Sequence, residues 1–486
     1  MGIVRSQSIK NSISFYIGMF LGAINTVVIY PNVFSDTPEH LGLIQILVAY
    51  ALVVSAFTTL GMPKTFIRFF PSLKNKAQLF VLALILPLFG FFFILLIYTL
   101  FKVQIFNYLE ANYLLRDNFF YILILIFFIG FYDILTAISR SFLNATTPIF
   151  INEVFLKAYS LCILIMHWYD FVDFNLLLKL YISGYILKFI ILFFIQIYFN
   201  RIKIDFFQKE LPYRKLFKFG VYVLAGGASI MLVTRMDMMM IGSILGLEEV
   251  AFYTIAFFIG NAIKVPGRSV VAISVSLIAK AWEKQNIKQI ELLYKKSSIN
   301  QLIVGGVFFL CIWINIDDVF LLLPDKFQNG KWVVFFIALS QLFNISSGIN
   351  GAIIVNTKYY KYDLYTNLFL VLITIISNYF LIHKFGINGA AMATAISIFL
   401  FNIMRLLIIY RKMKIHPFML QTLYTIFVLV FVYLIVQILP NISNPFINIV
   451  YKSLTIVCVF TPLCYVLNLS DDISEIIKKN ILKYIS

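Results

Sequence analysis

The feature that most constrains this chain is a series of long apolar runs. Runs of roughly 20 residues recur along the whole length of 486 residues, and a helix of that length crosses a hydrocarbon core of about 30 Å. The chain is 61% hydrophobic and 13% charged, with a mean hydropathy of +0.93. These values lie outside the range of soluble globular domains. They predict an all-α polytopic membrane protein without a separate soluble domain.

We predict about fourteen transmembrane helices. They cover residues 13–34, 41–62, 78–101, 119–139, 149–168, 176–199, 216–242, 250–274, 300–315, 331–356, 364–382, 386–410, 418–439 and 445–467. The first run is too long for the core of a signal peptide and no small-residue cleavage site follows it, so we expect it to remain as a membrane helix. The longest connectors, 200–215 and 279–297, are expected to be short amphipathic or solvated segments.

The loops alternate in charge. Basic loops, such as the one with Lys295 and Lys296, are separated by loops that hold acids, such as Glu248 and Glu249. This positive-inside distribution predicts cytoplasmic N- and C-termini in a multi-pass membrane protein. It also accounts for the net charge of +17, so we expect no nucleic-acid partner.

A weak internal repeat predicts a duplicated bundle. Residues 39–42 resemble 248–251, and 143–146 resemble 355–358, at offsets of 209 and 212. Because a unit of six spans begins and ends on the same side of the membrane, its copy has the same orientation, and a cavity is expected between the halves. The predicted domains are an N-lobe of helices 1–6 at 1–205, a C-lobe of helices 7–12 at 206–415, two extra helices at 416–470 and a cytoplasmic tail at 471–486.

Charged side chains inside the spans are the candidate functional residues. Each central charge costs at least about 2.5 to 3.5 kcal/mol in a membrane helix. The cations are Lys157, Lys188, Arg235, Lys264 and Arg268, and the acids are Asp133 and Asp237.

The number of residues between these charges predicts which of them share a helical face. Lys264 and Arg268 are four residues apart and so share a helical face, with Pro266 between them to bend the helix. Arg235 and Asp237 are two apart and point in different directions. Arg405 and Glu153 lie nearer the basic side, where we expect both to be solvated.

Two acids do not neutralise five cations. We therefore predict a cationic, water-filled cavity whose ligand is an anion such as phosphate or pyrophosphate. The alternative is that the cations are structural and pair with the acids. Asp133 and Asp237 are candidates for binding a coupling proton or sodium ion, and a salt bridge to a nearby cation is the other interpretation of each.

No sequence motif points to catalysis. The chain has no phosphate-binding P-loop, and its four cysteines lie in apolar runs without metal-ligand spacing. The four histidines lie at span ends without forming a cluster. We therefore predict a transporter rather than an enzyme, with no catalytic residue, metal or cofactor.

Several motifs resemble those of the polysaccharide flippases, of the O-antigen type, in the MOP exporter superfamily that also contains the MATE transporters. They are the segments 41–43, 61–63, 237–242, 245–246, 249–256 and 386–394. One departure is Ala251, where glycine is commoner in the family. The resemblance implies a two-lobed bundle that moves undecaprenyl-pyrophosphate-linked oligosaccharide from the inner to the outer leaflet by alternating access.

The resemblance also implies the partners and leaves alternatives open. The partners are the lipid-linked oligosaccharide and membrane lipid, with a polysaccharide polymerase and glycosyltransferases as candidate protein partners. A cation-coupled drug exporter would need an acidic cavity, which the excess of cations disfavours. A lipid II flippase is a close variant of the first interpretation. A membrane polysaccharide polymerase or ligase is least favoured, because the outer loops are short.

Overall fold

The computed structural model describes residues 2–73, 76–109, 112–200, 212–475 and 478, without the side chains of 2–6, 8, 9, 108, 199, 200, 266, 268, 269, 272, 273 and 276. The described residues form helices and turns and contain no strand. The predicted all-α fold class is thus confirmed. The basic loop at 201–211, and the predicted tail beyond 475 apart from 478, lie outside the described residues.

The chain divides into two compact units, Met1–Thr254 and Ile255–Ser486. The helices of unit 1 are α1 Gly2–Ala23, α2 Tyr30–Val33, α3 Pro38–Thr58, α4 Met62–Phe69, α5 Ala77–Tyr108, α6 Tyr113–Asp117, α7 Phe120–Ser141, α8 Thr146–Phe150, α9 Leu156–Trp168, α10 Phe174–Asn200 and α11 Tyr213–Ile244. The division falls inside α12, Leu247–Asn261. The seventh predicted span, α11, packs against α3 and α4 of unit 1.

Unit 2 contains the remaining helices. They are α13 Val265–Glu283, α14 Ile287–Ile314, α15 Ile316–Leu321, α16 Lys331–Ser346, α17 Asn350–Val355, α18 Lys361–Met413, α19 Leu420–Gln437 and α20 Pro445–Val466. The main packing contacts within it join α16 to α18 and α14 to α13, α16 and α19.

The described residues include eleven helices long and apolar enough to cross a membrane, and the chain is a multi-pass membrane protein. One of them, α18, has 53 residues and a length of about 80 Å, more than one crossing needs. Its backbone leaves the helical region at Gly386, where φ is 58° and ψ is −139°. That break separates the eleventh and twelfth predicted spans. The eighth and tenth predicted spans are each divided into shorter helices, and the count of fourteen stays a prediction.

The predicted connector at 279–297 is largely helical, with buried Ala281 and Ile290 and exposed Lys284 and Lys288. Helix α14 begins at Ile287, because the Asn286 side chain accepts a hydrogen bond from the backbone N–H of Gln289 at 3.0 Å. Lys295 and Glu291, one turn apart on this helix, form a 2.6 Å ion pair.

The turn between α3 and α4 fixes the basic end of unit 1. Leu60 and Gly61 have positive φ angles of 49° and 70°, a conformation that glycine adopts without strain. A Cβ atom on Gly61 would lie 2.3 Å from the carbonyl oxygen of Gly220 in α11, so no larger residue fits there. The turn thereby holds α4 against α11.

The last two helices are fixed to the rest of unit 2. Apolar side chains of α19 and α20, including Val432 and Ile456, form one buried cluster with α14. Beside this cluster, the Asn448 side chain donates to the Asp318 carboxylate at 2.8 Å, and Lys452 lies 3.7 Å from the same group. These helices are therefore an integral layer of unit 2.

Candidate substrate-binding site in unit 1

Lys188 lies at the centre of a polar cluster inside unit 1. It is only 4% exposed, and its ammonium donates to the Asn152 side-chain oxygen at 3.2 Å. The same ammonium lies 4.5 Å from the ring centroid of Tyr132 and 4.7 Å from that of Tyr185. Aromatic faces attract a cation without neutralising it. Lys188 is thus held by one amide and two aromatic rings.

Two carboxylates interact with Lys188 from a greater distance. Asp133 follows Tyr132 in α7 and Glu153 follows Asn152, and both act electrostatically on the ammonium, although neither forms an ion pair with it among the described residues. The Asp133 side chain is exposed, yet protein atoms surround it densely. The combination indicates a recess in the protein surface at Asp133.

A π-helical turn at Ile151–Phe155 places the next two polar groups. The Asn152 amide donates to Glu153 at 3.2 Å, and Glu153 forms a 2.9 Å ion pair with Lys157. The Lys157 ammonium also donates to the backbone oxygen of Gly18 at 3.0 Å. The expectation that Glu153 is solvated at the membrane boundary is therefore wrong, because it neutralises Lys157 instead. π-Turns often occur at functional sites.

Tyrosines extend the cluster from Lys188 to Arg235. The rings of Tyr185 and Tyr181 lie 6.0 Å apart on one face of α10, and Tyr181 also interacts with Tyr30 of α2. The Arg235 guanidinium of α11 acts electrostatically on both α10 tyrosines. Among the described residues no carboxylate lies within ion-pair distance of Arg235. These tyrosines and Asn152 are the site residues that sequence reasoning missed.

Asp237 belongs to a different environment from Arg235. Its carboxylate is 5% exposed and accepts a 2.6 Å hydrogen bond from the Tyr253 hydroxyl, which is also buried. Arg235 is partly exposed and its guanidinium lies 4.0 Å from the Met238 sulfur. The two charges separated by one residue thus face different surroundings, and Asp237 links α11 to α12.

The remaining predicted cations lie in unit 2. Lys264 ends a 3₁₀ turn, Ala262–Lys264, and the next helix begins at Val265 with Pro266 in its first turn. Regular α-helix thus ends at Asn261 and resumes at Val265, because Pro266 has no N–H to donate to the preceding turn. The Arg268 side chain lies outside the described residues, so its alignment with Lys264 stays a prediction.

Arg405 is buried, against the expectation that it is solvated. Its side chain is 11% exposed and forms an ion pair with Asp363. The guanidinium also donates to Thr366 and Asn367, at 3.3 Å each, and lies 4.1 Å from the Phe401 ring centroid. The residue close to the boundary in sequence is held inside unit 2 because α18 supplies both the cation and its partners.

The geometry of unit 1 is suited to an anion that carries hydroxyl groups or sugar. Lys188 and Arg235 supply positive charge that no described carboxylate neutralises at close range, Tyr181 and Tyr185 supply aromatic faces and hydroxyl groups, and Asn152 supplies an amide. Cations bind phosphate through charge-assisted hydrogen bonds. In a membrane interior such charges are retained only beside water, a partner or a ligand.

Comparisons with known proteins agree on the fold. No family model matches the chain. The structure of a lipid II flippase, MurJ, in an inward closed conformation superposes with a TM-score of 0.74 at 14% identity, covering 96% of this chain and 99% of the flippase. An inward-facing multidrug resistance MATE transporter of the MOP superfamily superposes with a TM-score of 0.62 at 15% identity, covering 83% of this chain and 98% of the transporter.

Two further matches come from archaea. A MOP superfamily transporter from Pyrococcus furiosus, described as having a binding pocket of reverse polarity, superposes with a TM-score of 0.54 at 16% identity, over 84% of this chain and 95% of that one. An uncharacterized membrane protein of Methanocaldococcus jannaschii is 28% identical over 58% of this chain. The match spans 57% of the length of that relative. Together the structural matches show that this chain has the fold of MOP superfamily transporters.

Proposed function

We propose that this chain is a flippase. It moves an undecaprenyl-pyrophosphate-linked oligosaccharide from the inner to the outer leaflet of the bacterial cytoplasmic membrane by alternating access, for the synthesis of a surface polysaccharide. The observation that carries the proposal is a pair of cations in unit 1. Lys188 is buried beside an amide and two tyrosine rings, and Arg235 is partly exposed and interacts electrostatically with two tyrosines. Pyrophosphate would bind the cations, the sugars would contact the tyrosines, and the prenyl chain would stay in lipid.

The polarity of the cluster argues against a drug exporter. A site for organic cations needs net negative charge, whereas here Lys188 and Arg235 outnumber the one carboxylate, Asp133, that acts on Lys188 without being paired to another cation. The fold allows both activities, since MATE transporters share it. The excess of positive charge therefore supports an anionic substrate.

Lipid II is the second candidate substrate. The likeness to the lipid II flippase covers 96% of the chain, against 83% for the MATE transporter. This supports an amphiphilic, lipid-linked substrate of the same chemical kind, which carries pyrophosphate between a prenyl chain and sugar. A polysaccharide polymerase and glycosyltransferases remain the proposed protein partners, since they would consume and supply such a substrate.

We further propose that Asp133 takes part in ion coupling. It is exposed in a recess and its charge acts on Lys188, so binding of a proton or sodium ion at Asp133 would change the net charge at the cation. Asp237 is the weaker of the two candidates for binding a coupling ion, because its carboxylate already accepts a hydrogen bond from Tyr253. Flipping measured with the proton gradient and the sodium gradient collapsed in turn tests this step.

Lys264 and Arg268 are proposed to bind the anionic substrate as well. Replacing both with alanine is expected to abolish surface polysaccharide while leaving the amount of protein in the membrane unchanged. Normal export by the double variant would remove them from the site.

The function itself is tested with three substrates. Purified protein in liposomes is given fluorescent undecaprenyl-pyrophosphate-linked oligosaccharide, fluorescent lipid II or a fluorescent organic cation. We expect movement of the first substrate across the bilayer. Movement of lipid II alone would favour the second candidate, movement of the organic cation would indicate a drug exporter, and a longer glycan without translocation would indicate a polymerase.

A further inference from the structure

Lys64 is a cation that sequence position assigns to the membrane surface. It lies in α4, directly after the turn that ends α3, among the basic residues of a predicted cytoplasmic loop. Helix α4 buries Met62, Thr65 and Phe66 against α7, α11 and α5, and it leaves Lys64 and Arg68 exposed. Its polar face therefore consists largely of positive charge.

The ammonium of Lys64 reaches along α11. The start of α4 is fixed at Gly220, because a Cβ on Gly61 would lie 2.3 Å from the Gly220 carbonyl oxygen. A Cβ on Gly227 would lie 3.9 Å from the Lys64 Nζ atom. Gly220 and Gly227 are seven residues apart on one helix, which corresponds to about 10 Å along its axis.

The direction of this reach is inward. Helices α3 and α11 run antiparallel, since Gly42 at the start of α3 lies against Leu247 beyond the end of α11, and Gly61 lies against Gly220. Moving from Gly220 to Gly227 therefore leads from the basic end of unit 1 toward Arg235, which is a further 12 Å or so along the helix. The Lys64 ammonium lies between the basic end of unit 1 and Arg235.

This orientation is unusual for a lysine near a membrane boundary. Such a lysine normally extends toward water, because its charge is costly in the hydrocarbon region. The space beside Gly226 is open, since no atom of the described residues outside the backbone of α11 lies within 4 Å of where its Cβ would stand. No described carboxylate forms an ion pair with Lys64. An exposed cation beside an open stretch of helix is available to bind an anion.

We propose that Lys64 and the open helix face at Gly226 and Gly227 form a phosphate site for the pyrophosphate of the lipid-linked substrate. The site lies between the basic membrane face and Arg235. This proposal rests on the proposed function and names a residue outside the five predicted cations. Headgroups of ordinary phospholipids remain at the membrane surface, whereas a site about 10 Å beyond Gly220 along α11, toward Arg235, is suited to a phosphate that is carried through the bilayer. Glycine keeps this face free of side chains, so a bulky phosphate can approach the ammonium.

The test measures binding of polyprenyl pyrophosphate to the full chain in nanodiscs of phosphatidylcholine. Lys64→Ala is expected to raise the Kd about tenfold, as for loss of one charge-assisted hydrogen bond. Lys64→Arg is expected to keep the wild-type Kd. Lys280→Ala, at an exposed lysine on the basic end of α13, is the matched control and is expected to leave the Kd unchanged.

A second pair of variants tests the space rather than the charge. Gly226→Leu fills the open face and is expected to raise the Kd, whereas Gly226→Ala adds one methyl group to open space and is expected not to. Wild-type affinity in Lys64→Ala or Gly226→Leu would overturn the site. An equal loss in Lys64→Ala and Lys280→Ala would also overturn it, because general surface charge would then account for binding.

Competition experiments show whether the bound phosphate belongs to the lipid-linked substrate or to bulk lipid. The wild-type control separates failure of the Lys64 site from failure of the proposed function. We expect neither phosphatidylglycerol in the nanodisc nor inorganic pyrophosphate to displace the probe at concentrations near its Kd. Displacement by phosphatidylglycerol would reassign the site to bulk anionic lipid and overturn the proposal. If the wild-type protein does not bind polyprenyl pyrophosphate, the proposed function fails as well. If it binds and Lys64→Ala binds equally, only the Lys64 site fails.

Discussion

Units 1 and 2 both bury a cation among polar side chains, but they neutralise it differently. In unit 2, Arg405 forms an ion pair with Asp363 and donates to two further side chains. In unit 1, Lys188 has an amide and two aromatic rings, and its carboxylates act only from a greater distance. A fully paired cation stabilises the fold, whereas a cation without a close counter-ion retains charge for a ligand. Lys157, paired with Glu153, belongs with Arg405 in this respect.

The largest effect is expected when the ion pair between Arg405 and Asp363 in unit 2 is broken. Arg405→Ala leaves the Asp363 carboxylate without its cation in a partly buried position. Breaking a buried pair in this way costs about 3 to 5 kcal/mol, so we expect a large fall in the thermal unfolding midpoint of the detergent-purified protein. Adding Asp363→Asn should restore much of the loss. No change in Arg405→Ala would show that the pair does not stabilise unit 2.

Removing the unpaired cation Lys188 in unit 1 is expected to change the rate of transport rather than the stability of the protein. Lys188→Met removes the ammonium and keeps an unbranched side chain, and we expect flipping in liposomes to slow about 100-fold, as for loss of a hydrogen bond to a charged group. Lys157→Met is the matched control, and since Lys157 is already paired with Glu153, its flipping rate should change much less. Equal losses in both variants would remove the distinction between paired and unpaired cations.

A smaller effect is expected at Asp237. Tyr253→Phe removes the 2.6 Å hydrogen bond to its carboxylate, which we expect to cost about 1 to 3 kcal/mol of stability. If Asp237 is structural, the flipping rate per folded molecule should be retained when the midpoint falls. A change in the ion dependence of flipping in this variant would instead return Asp237 to a coupling role.

The smallest effect concerns the segment after the last helix. Lys296 donates to Asp472 at 2.5 Å and, with a further bond from Asn300, lowers the pKa of this carboxyl. A lowered folded-state pKa contributes stability above the ordinary aspartate pKa of about 3.9 and loses it as the pH falls through the folded value. The thermal unfolding midpoint of the wild type should therefore decrease slightly when the pH is lowered below about 4. Asp472→Asn should have a lower midpoint at pH 7 and lack this part of the acid dependence.

The sequence predicted the membrane helices because hydrophobic length is a strong local signal. The run 41–62, for example, corresponds closely to α3, Pro38–Thr58. It also selected Lys188 and Arg235 as candidate site residues, since charges inside apolar runs are rare. The division of the chain at Thr254 and Ile255 depends on packing of α11 against α3, and no local pattern encodes that contact. The predicted repeat boundary at 205 and 206 remains a proposal about duplication.

The partners of the charges could not be predicted in the same way. Depth counted from span ends assumes one regular helix, but a π-turn at Ile151–Phe155 brings Asn152 and Glu153 into the polar cluster. Arg405 finds Asp363 across a break in α18 at Gly386. The chain contains 28 tyrosines, and sequence spacing does not distinguish the tyrosines near Arg235 from most of the others. These contacts are tertiary, so only the folded chain reveals them.

Substrate binding by Lys188 and Arg235 is tested most directly with the Lys188→Met and Arg235→Met double variant in liposomes. The measurement is the rate at which fluorescent undecaprenyl-pyrophosphate-linked oligosaccharide crosses the bilayer. We expect rapid crossing with the wild-type protein and crossing at the rate of protein-free liposomes with the double variant, at equal amounts of folded protein. Crossing by the double variant at the wild-type rate would contradict the claim that these unpaired cations bind the substrate.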